Sequence, residues 1–183
     1  MFWKQNIIII ARILAPLTLL INPVLGIGVS LFFDCIDVIV WDKLHVKPPL
    51  NYHRLDKLLD NWILFIAAAL SPLFIPAPYL YFAYFLFMLR IVMSTVFIIT
   101  GKQEHRRLLL IGPNWFPWYF TLFGVMDLTG NYGLLQNNPL FILVVVILFI
   151  CGYVPEIVLH YKKIKVYQFL KKYLHRYFAK NEG

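Results

Sequence analysis

The 183-residue chain holds only nine acidic residues, and four of them stand as two close pairs. Asp34 and Asp37 are three residues apart, and Asp56 and Asp60 are four apart. On a helix, those spacings put both members of a pair on one face. Four carboxylates sharing a small volume repel one another. A divalent cation removes that repulsion, and hard oxygen ligands suit Mg2+, Mn2+ or Ca2+. Metal ions so held clamp a pyrophosphate and stabilise phosphoryl transfer. A carboxylate not fully engaged by metal can accept a proton from an attacking hydroxyl. A plainer reading stands beside this one. Asp56 and Asp60 could serve only the dipole at a helix N-terminus, and Asp37 could pair with Arg12 or Arg54. Asp42 adds a fifth acid, as a further ligand or as a partner for Lys43 or Lys47.

The elements that would carry these acids are apolar. Hydrophobic residues make up 61% of the chain and charged residues 14%, with a mean hydropathy of +0.71. Soluble domains of this length carry more charge, and one core of this size cannot enclose so much apolar surface. A bilayer core needs about 20 apolar residues per helix. Six candidate spans emerge, at 6–25, 26–41, 58–74, 79–99, 108–128 and 139–159, the second starting as early as the Asn22-Pro23 turn. Pro72, Pro76 and Pro78 mark a tight turn between the third and fourth. Asn137-Asn138-Pro139 does the same before the sixth. Pro16, Pro113 and Pro117 are expected to kink the spans they touch. Gly26 and Gly28 suit close helix packing. The first apolar run is long enough to span and lacks a small-residue cleavage site, so it does not read as a cleaved signal peptide.

Basic residues orient the bundle. Lys4 precedes the first span, while Lys43, Lys47, Arg54 and Lys57 fall between the second and third. Lys102, Arg106 and Arg107 fall between the fourth and fifth, and no Lys or Arg follows until Lys162. Every basic segment therefore lies on one side of an even-spanning bundle. The expected fold is all-α: a polytopic bundle of six transmembrane helices (1–160), with both termini cytoplasmic. Residues 161–183 form a basic tail whose aromatic and aliphatic residues recur at helical spacing, as in a helix lying on an anionic inner leaflet. The net charge of +8 is thus assigned to lipid head groups rather than to nucleic acid. Arg90 falls inside the fourth span, where an arginine is expensive; it is a candidate phosphate ligand, with a structural ion pair or snorkelling as the alternative. Arg106 and Arg107, on the same face, suit head groups or simple positive-inside anchoring, and His53 flanks the acidic pairs as a candidate substrate contact. Gly112-Pro113-Asn114-Trp115 reads as an interfacial turn.

The arrangement resembles the CDP-alcohol phosphatidyltransferase family, whose motif is D-x2-D-G-x2-A-R, then eight residues, then G-x3-D-x3-D. Asp34-Cys35-Ile36-Asp37 is similar to the first half, and Asp56-Lys57-Leu58-Leu59-Asp60 to the second, with one extra residue between them. LDKLLDNWIL (55–64) and the opening Asn6, Arg12 and Pro16 add to the likeness. The chain departs from the pattern at Val38, where the motif has glycine, at Trp41-Asp42, where it has Ala-Arg, and at Tyr52 or His53, where it has glycine. The resemblance implies that Asp34, Asp37, Asp56 and Asp60 hold two divalent ions, Mg2+ or Mn2+, with Asp60 as general base. It also implies attack of an acceptor hydroxyl on a CDP-linked donor with release of CMP, in a homodimer whose site faces the cytoplasm. That places the chain in phospholipid biosynthesis, in the inner or plasma membrane if it is bacterial. Two alternatives stay open: a non-catalytic relative that binds lipid or assembles other proteins, and a small cation carrier that uses the acids for permeation.

Overall fold

The structure is a computed structural model that describes residues 2–43, 52–101 and 108–157. It is all-helical. Six α-helices follow in order: α1 (Phe2–Leu14), α2 (Pro23–Lys43), α3 (Tyr52–Leu70), α4 (Ala77–Thr100), α5 (Trp115–Thr129) and α6 (Asn138–Glu156). The Arg106, Arg107 and 161–183 expectations fall outside the described residues.

Proline and asparagine place the breaks. Pro16 cannot donate to the carbonyl one turn back, and α1 tightens there into a 3-10 stretch, Ala15–Leu20. Asn22 then caps α2 by accepting from the Leu25 amide at 2.9 Å, with Pro23 as the first helical residue. The chain doubles back tightly. A side chain on Gly26 would place its Cβ 2.5 Å from the Leu19 nitrogen, whereas Gly28 has nothing within 4 Å. The expectation of close packing thus holds for Gly26 and not for Gly28. Replacing Gly26 with alanine is expected to cost about 1–3 kcal/mol, because the obstacle is backbone. Gly28→Ala should be neutral or slightly stabilising. Thermal unfolding of the two variants side by side checks this; equal losses would remove the packing argument.

Pro117 does not kink α5. It lies in the first turn, where a missing amide is harmless. The kink falls instead at Gly112-Pro113, so α5 begins seven residues later than the apolar run at 108. Conversely, α3 begins six residues ahead of its apolar run at 58, because a helix continues through polar residues as readily as through apolar ones. Asn137 caps α6 through its side chain, accepting from the Leu140 amide.

Side-chain pairs set the registers. Gly26 faces Leu19 and Arg12 faces Asp34, so α1 with its 3-10 extension runs antiparallel to α2. Phe87 against Phe116 and Tyr79 against Phe123 make α4 and α5 antiparallel, and Trp115 against Phe149 with Phe123 against Phe141 does the same for α5 and α6. The core centres on α5: Phe116, Tyr119, Phe120 and Phe123 are all but fully buried, at the spacing of one helix face. Around it, the outward faces are apolar as well. Tyr81, Phe85, Met88, Val92 and Ile99 of α4 are exposed, as are Leu143, Ile147, Ile150 and Val154 of α6.

Among the described residues, one helix is long and apolar enough to cross a membrane by length and composition. This is α4, with 24 residues and a mean hydropathy of 2.2 over its most apolar window. Shorter apolar stretches run through Asn6–Leu20, Pro23–Asp34 and Asn138–Val154. Among the described residues the helix count is the six expected, but by length and composition one of those helices, not six, is long and apolar enough to cross a membrane.

Candidate metal and phosphoryl-transfer site

Two helices deliver the acids to one place. Asp34 comes from the second half of α2. Asp56 and Asp60 come from the first turns of α3, one turn apart on the face that meets α1 and α2. One carboxylate oxygen from each of the three lies within 4.8 Å of the other two. The convergence expected of the two pairs is therefore present for Asp34, Asp56 and Asp60. The backbone of Asp37 continues α2 one turn on; its side chain, like that of His53, lies outside the described residues.

Two cations stand among these acids. Arg12, near the end of α1, is 2% exposed and reaches all three. Its Nη2 lies 2.7 Å from Asp34 Oδ1 and 3.0 Å from Asp60 Oδ1, and its Nη1 lies 2.8 Å from Asp56 Oδ1. Lys57, between the two acids of α3, pairs with Asp56 Oδ2 at 3.2 Å and makes a close ion pair with Asp60. Three negative charges thus meet two positive ones, which is how partly buried acids are tolerated. The cluster is open on one side, where the Asp34 side chain is 42% exposed against 23% for Asp56 and 21% for Asp60.

Asp56 and Lys57 lie ahead of the apolar stretch of α3. Burial opposes the charge on Asp56, but Lys57 and Arg12 outweigh it and hold the carboxyl at about 2. Burial likewise opposes the charge on Lys57, and Asp56 with Asp60 raise its pKa well above the usual lysine range. Since the Asp56 value is depressed in the folded state, its stabilising contribution is complete above the ordinary carboxylate pKa. That contribution disappears only as pH falls towards 2.

The surroundings brace the cluster. Trp62 Nε1 donates to the Ile13 carbonyl at 3.0 Å and fixes α3 on the end of α1. Buried Ser94 of α4 donates to Asn61 Oδ1 at 2.7 Å, next to Asp60. Arg90 is 2% exposed, and its Nη1 donates to the carbonyls of Gly112 at 3.0 Å and Leu109 at 3.4 Å. It clamps α4 to the bend ahead of α5, and its charge is felt at Lys57. The expected phosphate ligand is thus engaged in a structural bond on at least one nitrogen. The Gly112–Trp115 turn it grips is also a packing device, since Trp115 stacks on Phe149 and donates to its carbonyl at 3.0 Å. The guanidinium of Arg54 lies over Gly101, the left-handed cap of α4 (φ 62°).

A hard divalent ion holds its oxygen ligands about 2.0–2.6 Å away, so ligand oxygens lie roughly 3–5 Å apart. The three carboxylates match that donor chemistry and spacing. The guanidinium of Arg12 stands in the same space, bonded to each of them. Sequence reasoning gave Arg12 and Lys57 no place at the centre, although both left a signal. An arginine in an apolar helix needs an acidic partner, and Lys57 is three residues from Asp60. Comparison of the chain with family models, with curated proteins and with solved structures finds no match.

Proposed function

We propose that this chain is a membrane-embedded, divalent-cation-dependent phosphotransferase. It moves a phosphatidyl or phospho-alcohol group from a CDP-linked donor to a hydroxyl acceptor, with release of CMP. The observation that carries the reading is the meeting of Asp34 with Asp56 and Asp60, in the spacing by which the chain resembles the CDP-alcohol phosphatidyltransferases. The apolar outward faces of α4 and α6 support the setting, because soluble monomers rarely expose contiguous apolar patches beyond a few hundred Å². In this reading all six helices cross the bilayer, both termini and the acidic site face the cytoplasm, and a second copy completes a homodimer.

The reaction divides among the chain's own residues. Asp34, Asp56, Asp60 and Asp37 would hold Mg2+ or Mn2+, which when bound neutralises the diphosphate and stabilises the charge built up in transfer. Asp60 takes the proton of the acceptor hydroxyl. The freed oxygen forms its bond to the β-phosphorus, and the bond from that phosphorus to the CMP oxygen breaks, with CMP leaving on the electron pair. Asp60 is bonded to both Arg12 and Lys57, so it accepts that proton only when one of these cations turns to another anion. The diphosphate of the donor is such an anion.

Purified full-length protein in lipid nanodiscs, given Mg2+ or Mn2+, is expected to release CMP from CDP-diacylglycerol or a CDP-alcohol in the presence of a hydroxyl acceptor, and chelation should stop it. No release across a panel of donors and acceptors would overturn the assignment. It would favour a non-catalytic relative, a reading supported by the way Arg12 and Lys57 already neutralise the carboxylates and by Val38 and Trp41-Asp42 in place of the motif's small residues.

A further inference from the structure

Arg12 is the one side chain among the described residues that bonds all three clustered carboxylates, through two nitrogens at 2.7–3.0 Å. Lys57 reaches only the two on its own helix. The two cations therefore differ in kind: Lys57 sits beside the cluster, whereas the Arg12 guanidinium fills the point on which the oxygens converge. The arginine is held there firmly. It lies a few residues before the Pro16 break, α2 folds back against that break at Gly26 and Leu19, and Trp62 ties α3 to the adjoining Ile13 carbonyl. Asp34 and Asp60 bind the same Nη2 atom, so one nitrogen bridges α2 and α3 as a metal ion would.

We infer that Arg12 is an internal counter-ion that competes with a divalent cation for these carboxylates, and that ion binding requires its guanidinium to leave the cluster. A dication and a guanidinium cannot both occupy the convergence point. Like charges a few ångströms apart in a partly buried site repel strongly. The device gives the site a closed state without metal, in which the guanidinium offsets the repulsion among the three acids, and an open state in which Arg12 is released towards an anionic ligand. The inference rests on the metal-dependent reading only in naming the competitor.

Mn2+ binding to the full-length protein in nanodiscs, followed by the loss of the free-ion electron paramagnetic resonance signal, tests it. Arg12→Gln is expected to bind Mn2+ about 10-fold or more tightly than wild type. Lys57→Gln removes the same charge from the rim and should tighten binding less. If charge alone matters the two variants gain equally, and if Arg12 only holds the fold together R12Q binds more weakly; either result overturns the proposal. Should R12Q fail to fold, the wild-type protein decides. Labelling of Arg12 by an arginine-selective dicarbonyl, mapped by mass spectrometry, should be slow without Mn2+ and several-fold faster with it, and an unchanged rate overturns the proposal. CMP release separates this from the catalytic assignment. Tightened Mn2+ binding in R12Q without CMP release from wild type sinks catalysis and leaves the competition standing. Release by wild type with no tightening in R12Q does the reverse.

Discussion

Asparagine in place of Asp60 is expected to lower the proposed metal-dependent CMP release by about 1,000-fold while leaving the protein folded. General acid–base catalysis is worth about 100- to 10,000-fold, and an amide can neither take the acceptor's proton nor ligate a hard cation as a carboxylate does. The structural loss is smaller. Asp60 accepts from Arg12 at 3.0 Å and pairs with Lys57, and the amide oxygen of asparagine can still accept from one of them. The substitution also removes one of three mutually repelling charges, which offsets part of the lost ion pairing. Activity should therefore collapse with only a modest fall in unfolding temperature. A rate within about tenfold of wild type would show that Asp60 is not the base. A protein that no longer folds would show that its role is to anchor the cluster. Measuring CMP release and thermal unfolding on the same preparation separates these results.

The convergence of the acids was legible because two short-range rules suffice. The i, i+3 and i, i+4 spacings put each pair on one face, and the short connection between the second and third apolar runs makes their helices neighbours. The partner at the centre was not legible in the same way. Arg12 is separated from Asp60 by 48 positions, and which face of α1 turns towards α3 depends on the 3-10 break at Pro16 and the close approach at Gly26. The break itself is local, but the face it turns towards α3 is set by tertiary packing. The placing of α5 at the centre was hidden for the opposite reason. WFPWYFTLFGVM is apolar on every side, so it has no polar face against which a buried one could be recognised. The breaks at proline and asparagine were legible because those residues act on the local backbone. The number of crossings is not settled by apolar length, since among the described residues one helix is long and apolar enough to cross a membrane. Arg90 shows the limit of reading a charge by its cost alone. Its expense in an apolar helix is real, and part of its compensation comes from the carbonyls of a bend 19 and 22 residues away.

Arg12→Leu is expected to destabilise the metal-free protein by about 3 kcal/mol, the largest stability effect at the cluster. Replacing a whole buried ion pair with apolar groups is often neutral, but removing one partner strands the other and costs about 3–5 kcal/mol. Here one guanidinium serves three acids, so its loss strands more than one. Two facts hold the figure near the lower end. Lys57 still neutralises part of the charge on Asp56 and Asp60, and the Asp34 side chain is 42% exposed, so water screens much of its share. The excess should lie in the coupling with Asp34, whose ion pair among the described residues is with Arg12. Asp34→Asn made in the Arg12→Leu background should therefore recover about 1 kcal/mol, whereas in the wild-type background it should cost stability; a double-mutant cycle on unfolding in mild detergent reads the difference. Mn2+ supplies the missing positive charge, so it should restore the single variant further than it stabilises wild type. An Arg12→Leu protein that unfolds with wild type, with no coupling to Asp34, would mean that the three carboxylates do not depend on the guanidinium in the folded state, and the network around Arg12 would lose its energetic meaning.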